Sequence, residues 1–251
     1  MDYKLKVNFI KAWLVHLLTC SGLVAGFLSL TYIFKNDQKS ALMCLGIALV
    51  IDAIDGTLAR KFNVLKYAKN IDGKMLDSVI DFFNYIIIPS IMIYWFNIVP
   101  VSFEILVPLI ILIISAISYS NLNLMTSENF YKGFPCIWNI LLLYIYFFDF
   151  NQLINLILIS VCIFLKFIPI KYVHPLRVKR LRIYSIIFMF VWFVSSFKIL
   201  TGSFYMIENN YDFLILCLWV FSNIYFISLT FYEIFFDIYK AVSVKINKLQ
   251  F

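Results

Sequence analysis

Charge is what this sequence has least of. Acidic and basic side chains together make up 14% of the 251 residues, while 63% of residues are hydrophobic. A soluble domain carries roughly 25% charged residues. There is too little polar surface here to wrap a soluble globule, and a soluble enzyme and a disordered chain are both excluded. Glycine and proline are sparse, at 7 and 6 residues. That excludes a collagen-like repeat and leaves no Gly- or Pro-rich linker to divide the chain, so a single domain over 1–251 is expected. The two histidines, His16 and His174, lie far apart, and the five cysteines (Cys20, Cys44, Cys136, Cys162, Cys217) form no CxxC pair. A zinc site and a disulfide scaffold are thereby excluded, and the cysteines read as reduced packing residues. The net charge of +7 raises the question of nucleic acid. A multi-span membrane protein with its lysines on one side accounts for it better, and no nucleic-acid partner is expected.

What is abundant is apolar sequence in long runs. A spanning helix needs about 20 mostly apolar residues. By that measure the chain reads as an all-α polytopic membrane protein with about eight transmembrane helices, near 12–34, 40–60, 74–96, 101–120, 134–149, 152–171, 183–200 and 211–236. The first run is longer than a signal-peptide core and no small-residue cleavage site follows it, so it is expected to stay as a span. Ahead of it, Tyr3, Val7, Ile10 and Leu14 recur at helical spacing, which fits either an N-terminal interfacial helix or an ordinary charged flank. With the N-terminus placed in the cytoplasm, this arrangement puts 18 of the 21 Lys and Arg residues on the cytoplasmic side and leaves Lys35, Lys39 and Lys198 opposite. Such a bias predicts that both termini are cytoplasmic.

The acidic residues are not spread evenly. Of the 14, five fall between positions 52 and 81, in D52-A-I-D55-G56-T-L-A59-R60 and G73-K-M-L-D77-S-V-I-D81 with Asp72 between them. A carboxylate at the centre of a span costs about 2.5–3.5 kcal/mol to insert. Asp52 and Asp55 share one helix face, Asp77 and Asp81 another, and the short basic connection makes their spans antiparallel neighbours. Four carboxylates can then converge just inside the cytoplasmic boundary. Oxygen ligands suit hard divalent ions, and two ions would both neutralise the cluster and clamp the oxygens of a phosphoryl transfer. Gly56, Ala59 and Gly73 keep side chains short where a ligand or helix comes close, and Arg60 offers a planar fork for phosphate. The alternative is helix packing through small residues, with the aspartates paired to local lysines. Asp72 sits off the Asp77/Asp81 face and is not expected to be a ligand.

This constellation resembles the CDP-alcohol phosphotransferase family, whose pattern D-x2-D-G-x2-A-R, spacer, G-x3-D-x3-D is met here at Asp52, Asp55, Gly56, Ala59, Arg60, Gly73, Asp77 and Asp81. The spacer, 61–72, has twelve residues, longer than the family's commonest form and similar to that of the bacterial phosphatidylcholine synthase branch. A-W-L-V-H-L-L-T at 12–19, G-F-P-C-I-W-N at 133–139 and I-P-I-K-Y-V-H-P-L-R at 168–177 also resemble that branch. The resemblance implies an enzyme of the bacterial inner membrane that joins CDP-diacylglycerol and choline and releases CMP. It implies Mn²⁺ or Mg²⁺ held by Asp52, Asp55 and Asp77, with Asp81 as general base and possible shared ligand. It implies Gly56, Ala59, Arg60 and Gly73 at the nucleotide, and a homodimer among membrane lipids.

Choline carries a quaternary ammonium, which is recognised by aromatic faces and nearby negative charge. Tyr85, one turn after Asp81, and Trp138, with Asn139 beside it, are the candidates, each set against an ordinary packing role. Lys171, His174 and Arg177 are candidates for the lipid phosphate, or else a plain positive-inside loop. Gly22 and Gly26 suggest a close helix contact, and His16 reads as a packing histidine. Besides a catalytically dead structural member, against which the complete carboxylate set argues, two rivals stand at this point. One is a sibling enzyme acting on glycerol phosphate, inositol or serine. The other is a cation-coupled transporter, against which stand the absence of a repeat and the gathering of acids at one membrane face.

Overall fold

The computed structural model describes residues 3–121, 125, 126, 130–172, 178, 181–202 and 210–249, and within the last helix the side chains of 211–236 and 239. Its elements are almost all helical. Among the described residues, six helices are long and apolar enough to cross a membrane, and the apolar helices Trp138–Phe148 and Gln152–Leu165 are shorter. The chain is a multi-pass, all-α membrane protein.

The contacts group into two compact units that alternate along the chain, where the sequence carries no linker to announce them. One comprises Met1–Asn121 with Cys136–Ser160, the other Leu122–Pro135 with Val161–Phe251. In the first unit, α1 (Tyr3–Phe34) and α2 (Gln38–Lys61) pair along their lengths, with small residues buried on both helices, among them Ala25 and Ser29 on α1 and Ala41, Cys44 and Ala48 on α2. Small side chains let two backbones approach closely, and Ser29 Oγ donates across the pair to Ala41 O at 3.0 Å. No cap, proline or glycine interrupts residues 3–21, so α1 is one unbroken helix. The expected interfacial helix is therefore not a separate element. Its residues are the first turns of α1.

The connection from α2 to the next span is more structured than a basic loop. Asn63, in the left-handed region at φ 49°, leads into the four-residue α3 (Val64–Tyr67). Val64 and Ala68 bury themselves against Ala12 and Val15 of α1, with Leu58, Ala59 and Phe62 packed on the same cluster. The long spacer thus folds back and docks on α1. Asp72 then caps α4 (Gly73–Phe82), its Oδ1 accepting from Lys74 N at 3.0 Å and Met75 N at 3.2 Å.

From α4 the span continues through a π-helical turn, Phe83–Ile87, into α5 (Ile88–Trp95). The cause is local. Pro89 has no N–H to give to the Tyr85 carbonyl four residues back, and its ring crowds that carbonyl, so the ladder widens there. The turn is buried at Asn84, Tyr85 and Ile86. Asn84 Nδ2 donates to Gly22 O at 3.1 Å. A Cβ on Gly26 would collide with Asn84 Oδ1 and come within 2.9 Å of the Phe83 ring. The G-x3-G of α1 is thus the seat for the π turn.

The first unit is completed by α6 (Leu106–Tyr119), α7 (Trp138–Phe148) and the start of α8 (Gln152–Leu165). Asn155 of α8 donates to Ile98 O at 3.0 Å and Phe150 O at 3.1 Å. Helices α7 and α8 are shorter than the expected spans 134–149 and 152–171. Next to the trimmed ends is a small hairpin in the second unit, β1 (Tyr131–Lys132) against β2 (Lys171–Tyr172), antiparallel. Pro135 and Pro169 break the helical ladder on both sides. Gly133, at φ 74°, donates its N–H to Ile170 O at 2.9 Å, and a side chain there would strike the Lys166 carbonyl. The rest of the second unit is the pair α9 (Arg182–Thr201) and α10 (Asn210–Leu249), joined by Trp219 Nε1 on Ser196 Oγ at 3.0 Å and by stacking of Phe188 on Tyr225 at 4.1 Å.

Candidate active site

Two turns of α2 and the first turns of α4 bring three of the four expected carboxylates together. Asp52, Asp55 and Asp77 each offer an oxygen, and these oxygens lie within 4.8 Å of one another. Asp55 is buried at 5% exposure, and Asp52 and Asp77 are half-buried. A buried carboxylate is costly unless charge and hydrogen bonds compensate it. The Gly56 N–H and the Arg60 guanidinium stand near Asp55, and Thr19 of α1 faces it. An all-oxygen donor set of this compactness fits a hard divalent cation.

Asp81 stands outside that group of three. It lies near Tyr85, whose hydroxyl donates to Asp52 Oδ2 at 2.9 Å. Tyr85 is itself buried at 5% exposure. It was a candidate for choline, but its ring presents almost no accessible face, and its polar end is spent on a carboxylate of the site. The π turn makes this possible, because the wider turn changes the angle at which residue 85 leaves the helix.

The other expected site residues fall as follows. Arg60 Nη2 donates to Thr57 Oγ1 at 3.2 Å on the exposed end of α2, and a Cβ on Gly56 would approach Arg60 Nη1 to 3.5 Å. Ala59 packs against the α3 cluster, and Gly73 opens α4. Asp72 caps that helix, in keeping with its exclusion from the ligand set. Trp138, the second choline candidate, is 1% exposed with its indole N–H on Ser115 Oγ at 3.0 Å. That bond ties α7 to α6. Asn139 is buried beside it with Oδ1 unpartnered. Lys171 lies in β2 with Nζ 6.0 Å from the Phe130 ring centre. His174 and Arg177 lie outside the described residues.

Two aromatic residues near the acids carry no motif in the sequence. Tyr119 at the end of α6 meets Phe82 edge to face, with ring centres 5.7 Å apart and planes at 79°. Both are half-buried, Phe82 follows Asp81 in the chain, and Tyr119 is also close to Tyr85. Their signal is tertiary: the two rings lie 37 positions apart and meet only through the packing of α4 on α6.

A bundle of apolar helices with a compact carboxylate cluster and an adjacent arginine describes a membrane-embedded transferase of phosphate-linked groups. The chain belongs to the CDP-alcohol phosphatidyltransferase family, whose model matches residues 13–195. Among its relatives, a phosphatidylcholine synthase of Pseudomonas aeruginosa is 35% identical over 224 residues, covering 89% of this chain and 92% of that protein. A phosphatidylcholine synthase of Legionella pneumophila is 33% identical over 252 residues, covering 96% of this chain and 95% of that protein. One of Borreliella burgdorferi is 39% identical over 176 residues, covering 70% and 75%.

Proposed function

We propose that this protein transfers the phosphatidyl group of CDP-diacylglycerol to choline, forming phosphatidylcholine and releasing CMP. The observation that carries the reading is the Asp52–Asp55–Asp77 cluster, with oxygens within 4.8 Å, in a chain similar along most of its length to phosphatidylcholine synthases. In the reaction the choline hydroxyl oxygen forms a bond to the lipid-bearing phosphorus. The bond from that phosphorus to the CMP oxygen breaks, and the hydroxyl proton passes to Asp81. A base must lie within hydrogen-bonding reach of that hydroxyl. Asp81 suits the role because it lies one helical turn after Asp77 on α4. Two divalent ions, Mn²⁺ or Mg²⁺, held by Asp52, Asp55 and Asp77 with Asp81 as a shared ligand, would supply charge neutralisation to the diphosphate.

Gly56, Ala59, Arg60 and Gly73 serve the nucleotide, Arg60 through its fork and the small residues by leaving room. The choline ammonium rests against Phe82, which follows Asp81 in the chain, and Tyr119, whose ring meets that of Phe82 at a steep angle. Aromatic faces and a nearby carboxylate are the chemistry a quaternary ammonium requires. Lys171, His174 and Arg177 receive the lipid phosphate. The site opens to the cytoplasm of a bacterial inner membrane, the termini lie on the same side, and the protein works as a homodimer.

The test uses membranes carrying the protein, CDP-diacylglycerol and labelled choline, with Mn²⁺ or with chelator. Labelled lipid that depends on metal, with CMP in equal amount, is expected. Lipid formed only from glycerol phosphate, inositol or serine would overturn choline as the acceptor.

A further inference from the structure

The inner face of α1 carries a polar group that the chemistry above does not use. His16 is 4% exposed, and its Nε2 has no hydrogen-bond partner. Native proteins rarely leave a buried donor or acceptor unmade, because its lost hydration is not repaid. The histidine belongs to the A-W-L-V-H-L-L-T stretch at 12–19, which the reaction leaves without a role.

Its neighbours define where the imidazole lies. A Cβ built on Gly73 would come within 3.4 Å of His16 Cε1, so the imidazole lies against the first residue of α4. Trp13 meets the ring edge-on, with ring centres 6.3 Å apart. Thr19, three residues on and on the same face, looks at Asp55. The start of a helix favours an anion. Here, however, Asp72 already occupies the Lys74 and Met75 amides. An anion settling over Gly73 therefore needs a donor from another element, and His16 Nε2 is placed to be that donor.

We infer that His16 is a nucleotide-binding residue, donating from Nε2 to a phosphate oxygen of the cytidine nucleotide seated over Gly73. The inference rests on the reading of this site as one for a CDP-linked lipid. It does not depend on which alcohol is the acceptor.

The test compares His16→Gln, whose amide nitrogen can reach the Nε2 position, with His16→Phe, which keeps the ring shape and loses the donor. Binding of CMP and of cytidine to purified full-length protein in Mn²⁺ would be measured by titration calorimetry. Loss of CMP affinity by about tenfold or more in the Phe variant is expected, with near-normal affinity in the Gln variant and cytidine binding unchanged in both. The KM for CDP-diacylglycerol should rise in the same order while that for choline holds. A packing role predicts the opposite order, Phe tolerated and Gln impaired, and that order would overturn the inference. So would equal loss of CMP and cytidine affinity. If the Phe variant fails to fold, His16→Asn takes its place, since its shorter amide cannot reach the Nε2 position; equal binding by the Asn and Gln variants would count against the donor. Wild type that binds no CMP would overturn the reading of the site itself. Wild type and the Phe variant binding alike would overturn the His16 assignment alone.

Discussion

At the scale of single residues, the site divides into groups that meet substrate and groups that hold those groups still. Tyr85 is of the second kind, since its buried hydroxyl reaches Asp52 at 2.9 Å. Residues that orient a metal's ligands typically change affinity by about 10–100-fold when lost. Tyr85→Phe is therefore expected to raise the Mn²⁺ concentration for half-maximal activity by about tenfold, with the choline KM unchanged. A choline KM that rose alone would return Tyr85 to the role its position in the sequence suggested. Phe82 and Tyr119 should behave conversely. An ammonium–aromatic contact contributes about 0.5–2 kcal/mol, so Phe82→Leu or Tyr119→Leu should raise the choline KM several-fold and leave the KM for CDP-diacylglycerol alone. The convergence of Asp52, Asp55 and Asp77 was legible in the sequence, because carboxylate chemistry and helical spacing suffice to bring them together. Tyr119 was not legible, since nothing local ties it to position 82. Trp138 could not be assigned from the sequence for a related reason: among 48 aromatic residues, nothing local separates a packing indole from one that faces a ligand.

At the scale of elements, spans were read from hydropathy, and their ends depended on capping and on proline. Helices α7 and α8 stop short where Pro135, Pro169 and the left-handed Gly133 turn the chain into a hairpin. The π turn was also latent in Pro89, although no periodicity argument announces which carbonyl gives way. The turn between α1 and α2 permits a direct test. Asp37 caps α2 by accepting from Ser40 N at 2.9 Å. Hydrogen bonds from Ser40, side chain and backbone, hold the Asp37 carboxyl below its ordinary value of 3.8, with Lys39 adding to the effect. A carboxylate with a lowered folded-state pKa contributes stability that is fully present above the ordinary value and is lost as pH falls through the folded-state one. Asp37→Ala is expected to cost about 1 kcal/mol at neutral pH. The gap to wild type should narrow below about pH 4 as the wild-type carboxyl protonates. Asp37→Asn should stay near wild type at neutral pH, because asparagine caps as well. Thermal unfolding in detergent across that pH range reads all three, and a gap that stayed constant with pH would show that the charge of Asp37 plays no part.

At the scale of the whole molecule, charge and chemistry make separate arguments for one orientation. In the proposed orientation, the Lys and Arg bias is met by a cytoplasmic connection between α2 and α4 and a turn between α1 and α2 on the opposite side. The reaction independently asks that the carboxylates at the α2 and α4 ends face the side where CDP-diacylglycerol headgroups, choline and CMP are exchanged with the cytoplasm. The short helix α3 adds a reason for the asymmetry of length between the two connections. The turn at 35–37 needs only to reverse the chain, whereas the 61–72 segment must dock Val64 and Ala68 on α1 and deliver Asp72 as the cap of α4. Lys35 and Lys66 are exposed in these two connections, and the proposed orientation sets them on opposite sides. In a background with the five native cysteines replaced, an impermeant maleimide added to intact cells should label Lys35→Cys and leave Lys66→Cys unlabelled, and inverted vesicles should give the reverse. Labelling of Lys66→Cys from outside would place the carboxylate cluster away from the cytoplasm, and both the charge argument and the proposed access of choline would then fail together.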